Sequence, residues 1–464
     1  MRLLSPLLVL TTHAVACGGG TTDPTPPAAG SKVSRVELST AALDVPIGSL
    51  AQLSATPRDA SGNALPGRTV AWRSSAEAVA TVSSSGVVTG LSTGSAVIVA
   101  TVDGQSDSAV VAVALRSVTS IVDSVRTAHG LIGMTGAIVT RANGVTLVGA
   151  AGQRRLGGPS VTTEDRWHLG SNLKAMTAML AAIGVTDGRL SWDATIGTAF
   201  PELGPTIRPE YRAVTLRDLL AMRSGLVANP PTGTYAGATA RAQRDAAVAW
   251  AVASTPETSF GTYLYSNLAY VVAGAMIERA LGGTYEELLL GRLGAPLGAA
   301  GIGFGPTTTV GGTDQPVGHA WNGSSWVVCE ACDNPPGLSS AGRAHMPIAD
   351  WARIIQEMMR GYAGQSTLVS QPEAARLFTG VTLVPGSSNA YALGWLMTTR
   401  SWGGLTATHS GSNTTNHSVA WVGLDSGIAL LAATNGYDGT ATNRTAVALD
   451  ALVARLLRRH QGGQ

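Results

Sequence analysis

From Lys32 to about Leu115 the chain is cut into short runs of Val, Thr and Ala by Gly, Pro, Asn and Asp, and beyond Leu115 that rhythm stops. Runs at 35–38, 50–55, 69–72, 80–82, 87–89 and 96–102 fit regular short strands, which predicts a small all-β sandwich over 32–115. It holds no cysteine, so its core must stand without a disulfide. The next stretch reads differently. Val118, Ile121, Val122 and Val125 recur at the 3-4 spacing of a helix face over 117–128. The runs 136–140 and 145–149, parted by Asn143-Gly144, predict a hairpin. At the far end 391–396, 407–409, 418–422 and 428–434 read as strands. A closing helix from about 444 to 460 sets Leu449, Leu452, Val453 and Leu456 on one face. A helix, a hairpin, a mostly helical middle, then strands and a last helix predict an α+β domain over 117–461. Its first and last pieces would share one antiparallel sheet flanked by helices.

Within that domain one tetrapeptide stands out, Ser171-Asn172-Leu173-Lys174. Only two of the 31 basic residues are lysines, Lys32 and Lys174; the rest are arginines. Arginine keeps its proton in a protein, whereas a desolvated lysine can lose it near neutral pH and act as a base. Residues i and i+3 of a helix are neighbours on one face, so the Ser171 hydroxyl and the Lys174 amine would meet as a nucleophile beside its base. Residues 175–183 continue as an apolar helix with Met176, Met179, Leu180 and Ile183 towards the core. Ser171 would then sit at a buried helix start, where free backbone N–H groups gather. A surface lysine in a chance tetrapeptide is the plain alternative.

With 464 residues the chain can bury two or three cores. A net charge of +2 and the lack of a basic run interleaved with aromatics argue against nucleic acid as a partner. No interior stretch has the ~20 apolar residues of a membrane span.

At the amino terminus, Arg2, the apolar 3–10 and Ala14-Val15-Ala16 before Cys17 resemble a bacterial lipoprotein signal, with Ala14 where leucine is usual. The resemblance implies a signal segment over 1–17, lipidation of Cys17 after cleavage and a membrane anchor, with ordinary signal cleavage as the alternative. The Thr, Pro and Gly of 18–31 read as a flexible tether. Cys329 and Cys332 remain. In an exported protein such a pair can oxidise to a local disulfide, which is the expectation, with free thiols next. Two sulfurs are half a zinc site and nothing in the sequence completes one, so no metal is expected.

The first domain carries Val36-Glu37-Leu38, Thr69-Val70-Ala71-Trp72, Val79-Ala80-Thr81-Val82, Gly86-Val87-Val88-Thr89-Gly90 and Gly94-Ser95-Ala96. It resembles a bacterial Ig-like domain of the second group, which implies a spacer or an adhesion module. Gly90-Leu91-Ser92-Thr93-Gly94 fits the Gly-x-Ser-x-Gly nucleophile elbow, but that motif needs a strand before it and a helix after it. Ser92 is therefore expected in a turn between strands.

In the second domain four stretches occur in order: Trp167-His168-Leu169-Gly170-Ser171-Asn172-Leu173-Lys174, Asp187-Gly188-Arg189-Leu190-Ser191-Trp192-Asp193, Thr215-Leu216-Arg217-Asp218-Leu219-Leu220-Ala221-Met222-Arg223-Ser224-Gly225-Leu226, and Tyr263-Leu264-Tyr265-Ser266-Asn267-Leu268-Ala269-Tyr270. Together they resemble the β-lactamase-related serine hydrolases close to class C β-lactamases, a family that also holds esterases and D-specific peptidases. The resemblance implies a β-lactamase/transpeptidase-like fold with a helical subdomain and a covalent acyl-enzyme, with no cofactor. It implies that Ser171 is the acylated nucleophile and Lys174 its base. Tyr265 would relay the proton to and from the leaving group, and Asn267 would orient lysine and substrate. His409-Ser410-Gly411 would be the third motif on the strand lining the site, with the backbone N–H groups of Ser171 and Ser412 as oxyanion hole. Lysine near ~10.4 and tyrosine near ~10 are poor bases in water, so the site must tune both. Each residue also has a plain alternative: Tyr265 as a core tyrosine, Asn267 as a helix cap, His409 as a strand-end histidine.

Two positions depart from the family pattern. Met222 replaces a common histidine, with an effect expected on packing rather than chemistry. His409 replaces the lysine that fixes a substrate carboxylate in β-lactamases and D-alanyl carboxypeptidases. A histidine of ordinary pKa near ~6.5 is mostly neutral at pH 7, which favours small esters, then amides or peptides, over β-lactams. A nearby arginine would restore the charge. A catalytically silent envelope binding protein is the reading from another class.

Overall fold

The computed structural model describes residues 31–231 and 233–462. Cys17, the signal segment and all of the tether but Ser31 lie outside them. The described chain forms two compact units, one built mainly from residues up to Ala112 and the other from Val113 onward.

The first unit is all strand. A four-stranded sheet runs Ala42–Pro46, Gln105–Ala114, Gly94–Val102, Ala71–Ser74, and a three-stranded one runs Leu50–Gln52, Val87–Gly90, Ala80–Val82. Arg35–Leu38 pairs with Ala55–Arg58. Burial alternates along Gln105–Ala114, so Ala109, Val111 and Val113 face inward and their neighbours outward, the period-2 pattern of a half-buried strand. Asp103 and Gly104, both at positive φ, close the hairpin before it. The expected strand at 50–55 is split, with a break before Ala55, and the one at 69–72 is shifted to Ala71–Ser74. Ser92 lies between the strands Val87–Gly90 and Gly94–Val102 with no helix following, so the nucleophile-elbow pattern there is accidental.

The second unit is the α+β body. Its sheet takes strands from both ends of the domain in the order Arg116–Ser117, Gly144–Gly152, Gly133–Thr140, Ile428–Thr434, His417–Gly423, Gly404–Ser412, Leu396–Arg400, Ala390–Tyr391, Thr382–Leu383. Gly133–Thr140 runs antiparallel to Ile428–Thr434 with Ala137 opposite Leu431, joining the first hairpin to the last strands. One sheet face is covered by the helices Thr119–Ala128 and Arg444–His460. Val118, Val122, Val125, Leu449, Leu452 and Leu456 form a buried layer there, each helix offering one apolar stripe. A larger core joins the other face to the helical middle.

The helix Leu173–Thr186 crosses that larger core and is buried from Leu173 to Gly184. The apolar positions Met176, Met179, Leu180 and Ile183 understate this, because the helix's Ala, Thr and Gly residues pack inward as well. The expected strand at 391–396 is interrupted. Gly394, at φ +82°, breaks it, since a side-chain carbon there would come within 2.7 Å of the Ala175 backbone. The chain bends at this point to lie against the helix that carries Lys174.

Candidate active site

Three walls converge on Ser171. The first is its own turn, Gly170–Asn172, a single 3-10 turn running straight into the helix Leu173–Thr186. The second is the start of the helix Asn267–Leu281, capped by the Ser266 hydroxyl on the Ala269 amide, so Asn267 is its first residue rather than its cap. The third is the end of the strand Gly404–Ser412, which lies hard against the nucleophile turn. A side-chain carbon at Gly411 would stand 2.0 Å from the Leu169 carbonyl oxygen and 2.6 Å from the Ser171 nitrogen. One at Gly170, at φ +50°, would stand 2.3 Å from the Ser412 nitrogen. Only glycines permit this approach, which brings the Ser171 and Ser412 amides to one place.

Lys174 is fully buried. Its Nζ lies 2.9 Å from Ser171 Oγ, 2.7 Å from Asn267 Oδ1 and 2.7 Å from the Ala341 carbonyl oxygen, and 4.9 Å from the centre of the Tyr265 ring. Among the described residues no carboxylate pairs with it, and desolvation pushes its pKa well below the ordinary lysine value. Two of the three partners can only accept: the Ala341 carbonyl, and the Asn267 carbonyl oxygen, which is fixed in that orientation because Asn267 Nδ2 donates to Asn229 Oδ1 at 2.8 Å. A neutral amine has two N–H groups and one lone pair. The N–H groups go to those two oxygens, and the lone pair is left for the hydroxyl of Ser171, the one partner able to donate. This is the arrangement of a general base poised on a nucleophile.

Tyr265 is pushed above the ordinary tyrosine range by burial, opposed in part by its hydrogen bond with Ser171. It therefore carries its proton at neutral pH. Its segment is held by Met222, a buried residue in the left-handed region whose carbonyl accepts from the Leu264 amide at 2.9 Å and whose sulfur accepts from the Ser266 amide at 3.1 Å. The departure at Met222 thus concerns how the tyrosine loop is held.

His409 is buried on the same strand as Gly411. Its Nδ1 donates to the Ser410 carbonyl at 2.6 Å and its Nε2 accepts from the Tyr391 hydroxyl at 3.1 Å. Desolvation, then the Lys174 charge, lowers its pKa to about 3, against the smaller opposing pull of the Ser410 carbonyl, so it is neutral at pH 7. A cavity of about 400 Å³ opens beside it, lined among others by Tyr263, Tyr265, Tyr391, Trp421 and Asp450. Neither arginine nor lysine is among its lining residues, and the Arg400 guanidinium lies 5.0 Å from the ring of Trp421. The Ser412 hydroxyl accepts from the Thr414 amide at 2.9 Å.

Cys329 and Cys332 form a disulfide, with Cα atoms 5.3 Å apart. The sequence did not point to Asn229, Tyr391 or the Ala341 carbonyl. It also gave no reason to join His168 to Asp333, whose contact at 3.0 Å lies behind the nucleophile turn. The one available signal was that Asp333 directly follows the second cysteine.

The profile of the Beta-lactamase family matches residues 118–455. The chain belongs to this family of serine hydrolases. The bacterial Ig-like domain, group 2, matches residues 32–113. Solved Beta-lactamase folds similar to this one include a D-amino acid amidase from Ochrobactrum anthropi SV3, 20% identical, with TM-score 0.59 over 74% of this chain and 98% of that one. A class C beta-lactamase from Rhodobacter sphaeroides is 18% identical, with TM-score 0.59 over 73% and 98%. The octameric penicillin-binding protein homologue from Pyrococcus abyssi is 20% identical, with TM-score 0.59 over 73% and 76%. Among curated proteins, the unguisins hydrolase ungD' of Aspergillus campestris is 24% identical over 260 residues, 53% of this chain and 48% of that protein. The chain spans about half the length of that relative.

Proposed function

We propose that Ser171 is acylated and deacylated in the hydrolysis of small neutral esters, and secondarily of amides or D-peptides, with Lys174 as base. The observation that carries this reading is the partner set of Lys174 Nζ, which leaves its lone pair to the Ser171 hydroxyl. In acylation Lys174 takes the Ser171 proton, Oγ bonds to the acyl carbon, and the Ser171 and Ser412 amides receive the oxyanion. Tyr265, a protonated phenol beside Ser171, relays the proton to the leaving group. Water then opens the acyl-enzyme by the same route in reverse. The neutral His409 and a cavity without arginine or lysine support substrates lacking an obligatory carboxylate. This ranks β-lactams third, although two of the similar structures are an amidase and a class C beta-lactamase. A silent envelope binding protein is the weaker reading, because such a role places no demand on a buried uncompensated lysine.

The same proposal includes export and anchoring through Cys17. It is supported by the amino-terminal pattern and by the Cys329–Cys332 disulfide, a bond that persists in oxidising compartments. Membrane fractionation of wild type and Cys17→Ala tests it: the variant should leave the membrane fraction.

For the chemistry, the protein is treated with a fluorophosphonate and with a fluorescent penicillin, beside Ser171→Ala. A Ser171-dependent fluorophosphonate adduct, with p-nitrophenyl ester turnover exceeding that of a chromogenic cephalosporin, is expected. Absence of any Ser171-dependent adduct or turnover sinks the enzyme reading, and the reverse preference overturns the substrate ranking.

A further inference from the structure

Asp333 has a side chain only 4% exposed and no part in the acyl-transfer chemistry. Its Oδ1 stands 3.0 Å from His168 Nε2 and accepts from Asn413 Nδ2 at 3.0 Å, and its Oδ2 lies 3.3 Å from Arg343 Nε. His168 is buried two residues before Gly170 and accepts the Gly170 amide on Nδ1 at 3.2 Å. Its ring proton is therefore on Nε2, the atom in close polar contact with Asp333 Oδ1, although the two are not aligned as a hydrogen bond. Asn413 directly follows Ser412, and its Oδ1 closes the next turn by accepting from the Thr415 and Asn416 amides. On the remaining side, Asn334 donates to the Gly342 carbonyl at 2.6 Å, next to the Ala341 carbonyl that holds Lys174. Burial pushes the Asp333 carboxyl up, and its contacts with His168 and Asn413 outweigh this, so it remains below the ordinary carboxylate range.

One carboxylate oxygen thus ties together two segments that each supply an oxyanion amide: the turn of Ser171 through His168, and the strand end of Ser412 through Asn413. These segments are some 240 residues apart in sequence, and the distance between their N–H groups is what an oxyanion hole must hold fixed. We propose that Asp333 is a positioning residue that sets the spacing of the Ser171 and Ser412 amides. The proposal rests on the acyl-hydrolase reading. A buried carboxylate is costly unless it is paired; here Asn413 donates to Oδ1 and His168 stands beside it, while Oδ2 faces Arg343 without a hydrogen bond.

The test uses phenylboronic acid, which forms a tetrahedral adduct on a nucleophilic serine and so reports the oxyanion hole directly. The wild type is first checked for a Ser171-dependent fluorophosphonate adduct; its absence would sink the acyl-hydrolase reading itself, a failure distinct from any seen only in the variants. In Asp333→Asn, boronate affinity and kcat for a p-nitrophenyl ester should each fall about tenfold, the loss expected for a misplaced oxyanion donor. KM should stay within about twofold, since ground-state binding is untouched, and the pH profile should keep its acid limb, because Lys174 keeps its partners. His168→Phe, which keeps the ring and removes both nitrogens, should show the same signature. A folded variant with unchanged boronate affinity, or one whose KM rises as kcat and boronate affinity fall, overturns the proposal. So does failure of both variants to fold, which would make Asp333 an anchor of the fold.

Discussion

The helix Asn267–Leu281 meets a fully buried cation near each end, and the two are treated in opposite ways. At its start Asn267 offers an amide oxygen to Lys174. Eleven residues on, roughly 16 Å along the axis, Glu278 offers a carboxylate to Arg244 at 2.6 Å, joined by Glu286 at 2.8 Å. Burial works against both charges. At Arg244 the two glutamates outweigh it and raise the pKa, so the guanidinium is a permanent structural charge. At Lys174 only neutral acceptors answer, and the pKa falls. Burial is common to both sites; the partners decide whether the cation is a brace or a base.

Exchanging those roles gives the largest expected effects. Lys174→Met should remove at least ~10³ of kcat, the upper part of the range for a general base, while leaving stability equal or higher because an uncompensated amine is gone. Lys174→Arg should be as inactive, since guanidinium holds its proton, and should also lower the melting temperature. Survival of ester turnover in Lys174→Arg would end the assignment of the base. The mirror experiment is Arg244→Met, which strands two glutamates and should cost about 3–5 kcal/mol in urea unfolding, with kcat/KM per folded molecule unchanged.

Giving the site the electrostatics of the brace is the next step down. Asn267→Asp puts a carboxylate on Lys174 and should raise its pKa. Activity at neutral pH should then fall and recover as the pH is raised. A loss that alkaline pH does not relieve would point to damaged geometry instead of a reprotonated base.

The smallest effects lie in how stability depends on pH. The folded pKa of Lys174 is below its unfolded value of about 10.4. Between the two the unfolded chain binds more protons, and stability rises with pH. The stability advantage of Lys174→Met over wild type should therefore shrink as pH climbs towards that value. The Arg244→Met deficit should be flat there. It should shrink only in acid, as pH falls through the depressed pKa of Glu286, whose stabilising pairing is then lost. His409, lowered to about 3 from an unfolded value near ~6.5, adds to the loss of stability as pH falls across that window, beside His345 and His417, which burial lowers to about 4; His409→Asn should reduce that loss in urea titrations.

Much of this architecture is legible in local sequence. Alternating short strands, the Asn143-Gly144 hairpin and the one-sided apolar stripe of residues 444–460 are short-range patterns; the hairpin and the last helix formed as expected, and the short strands formed with the one at 50–55 split and the one at 69–72 shifted. The strand expected over 391–396 failed because Gly394 serves a close approach to Ala175, a partner more than 200 residues away. Met222 was expected to act on packing, but that its sulfur and carbonyl hold the Tyr265 segment depended on a left-handed backbone no pattern announces. Asp333 and His168 looked like ordinary polar residues.

By itself the sequence determined the two domains, the helix that begins just after Ser171, and the one lysine in the second domain placed beside a serine, because these depend on side chains within a turn or two of each other. Only the tertiary structure decided that this lysine meets two acceptors, no carboxylate and one hydroxyl. Its acidity depends on desolvation and its orientation on oxygens from Asn267 and Ala341, brought to within 2.7 Å from 93 and 167 residues away, and chemistry at that range is set by packing.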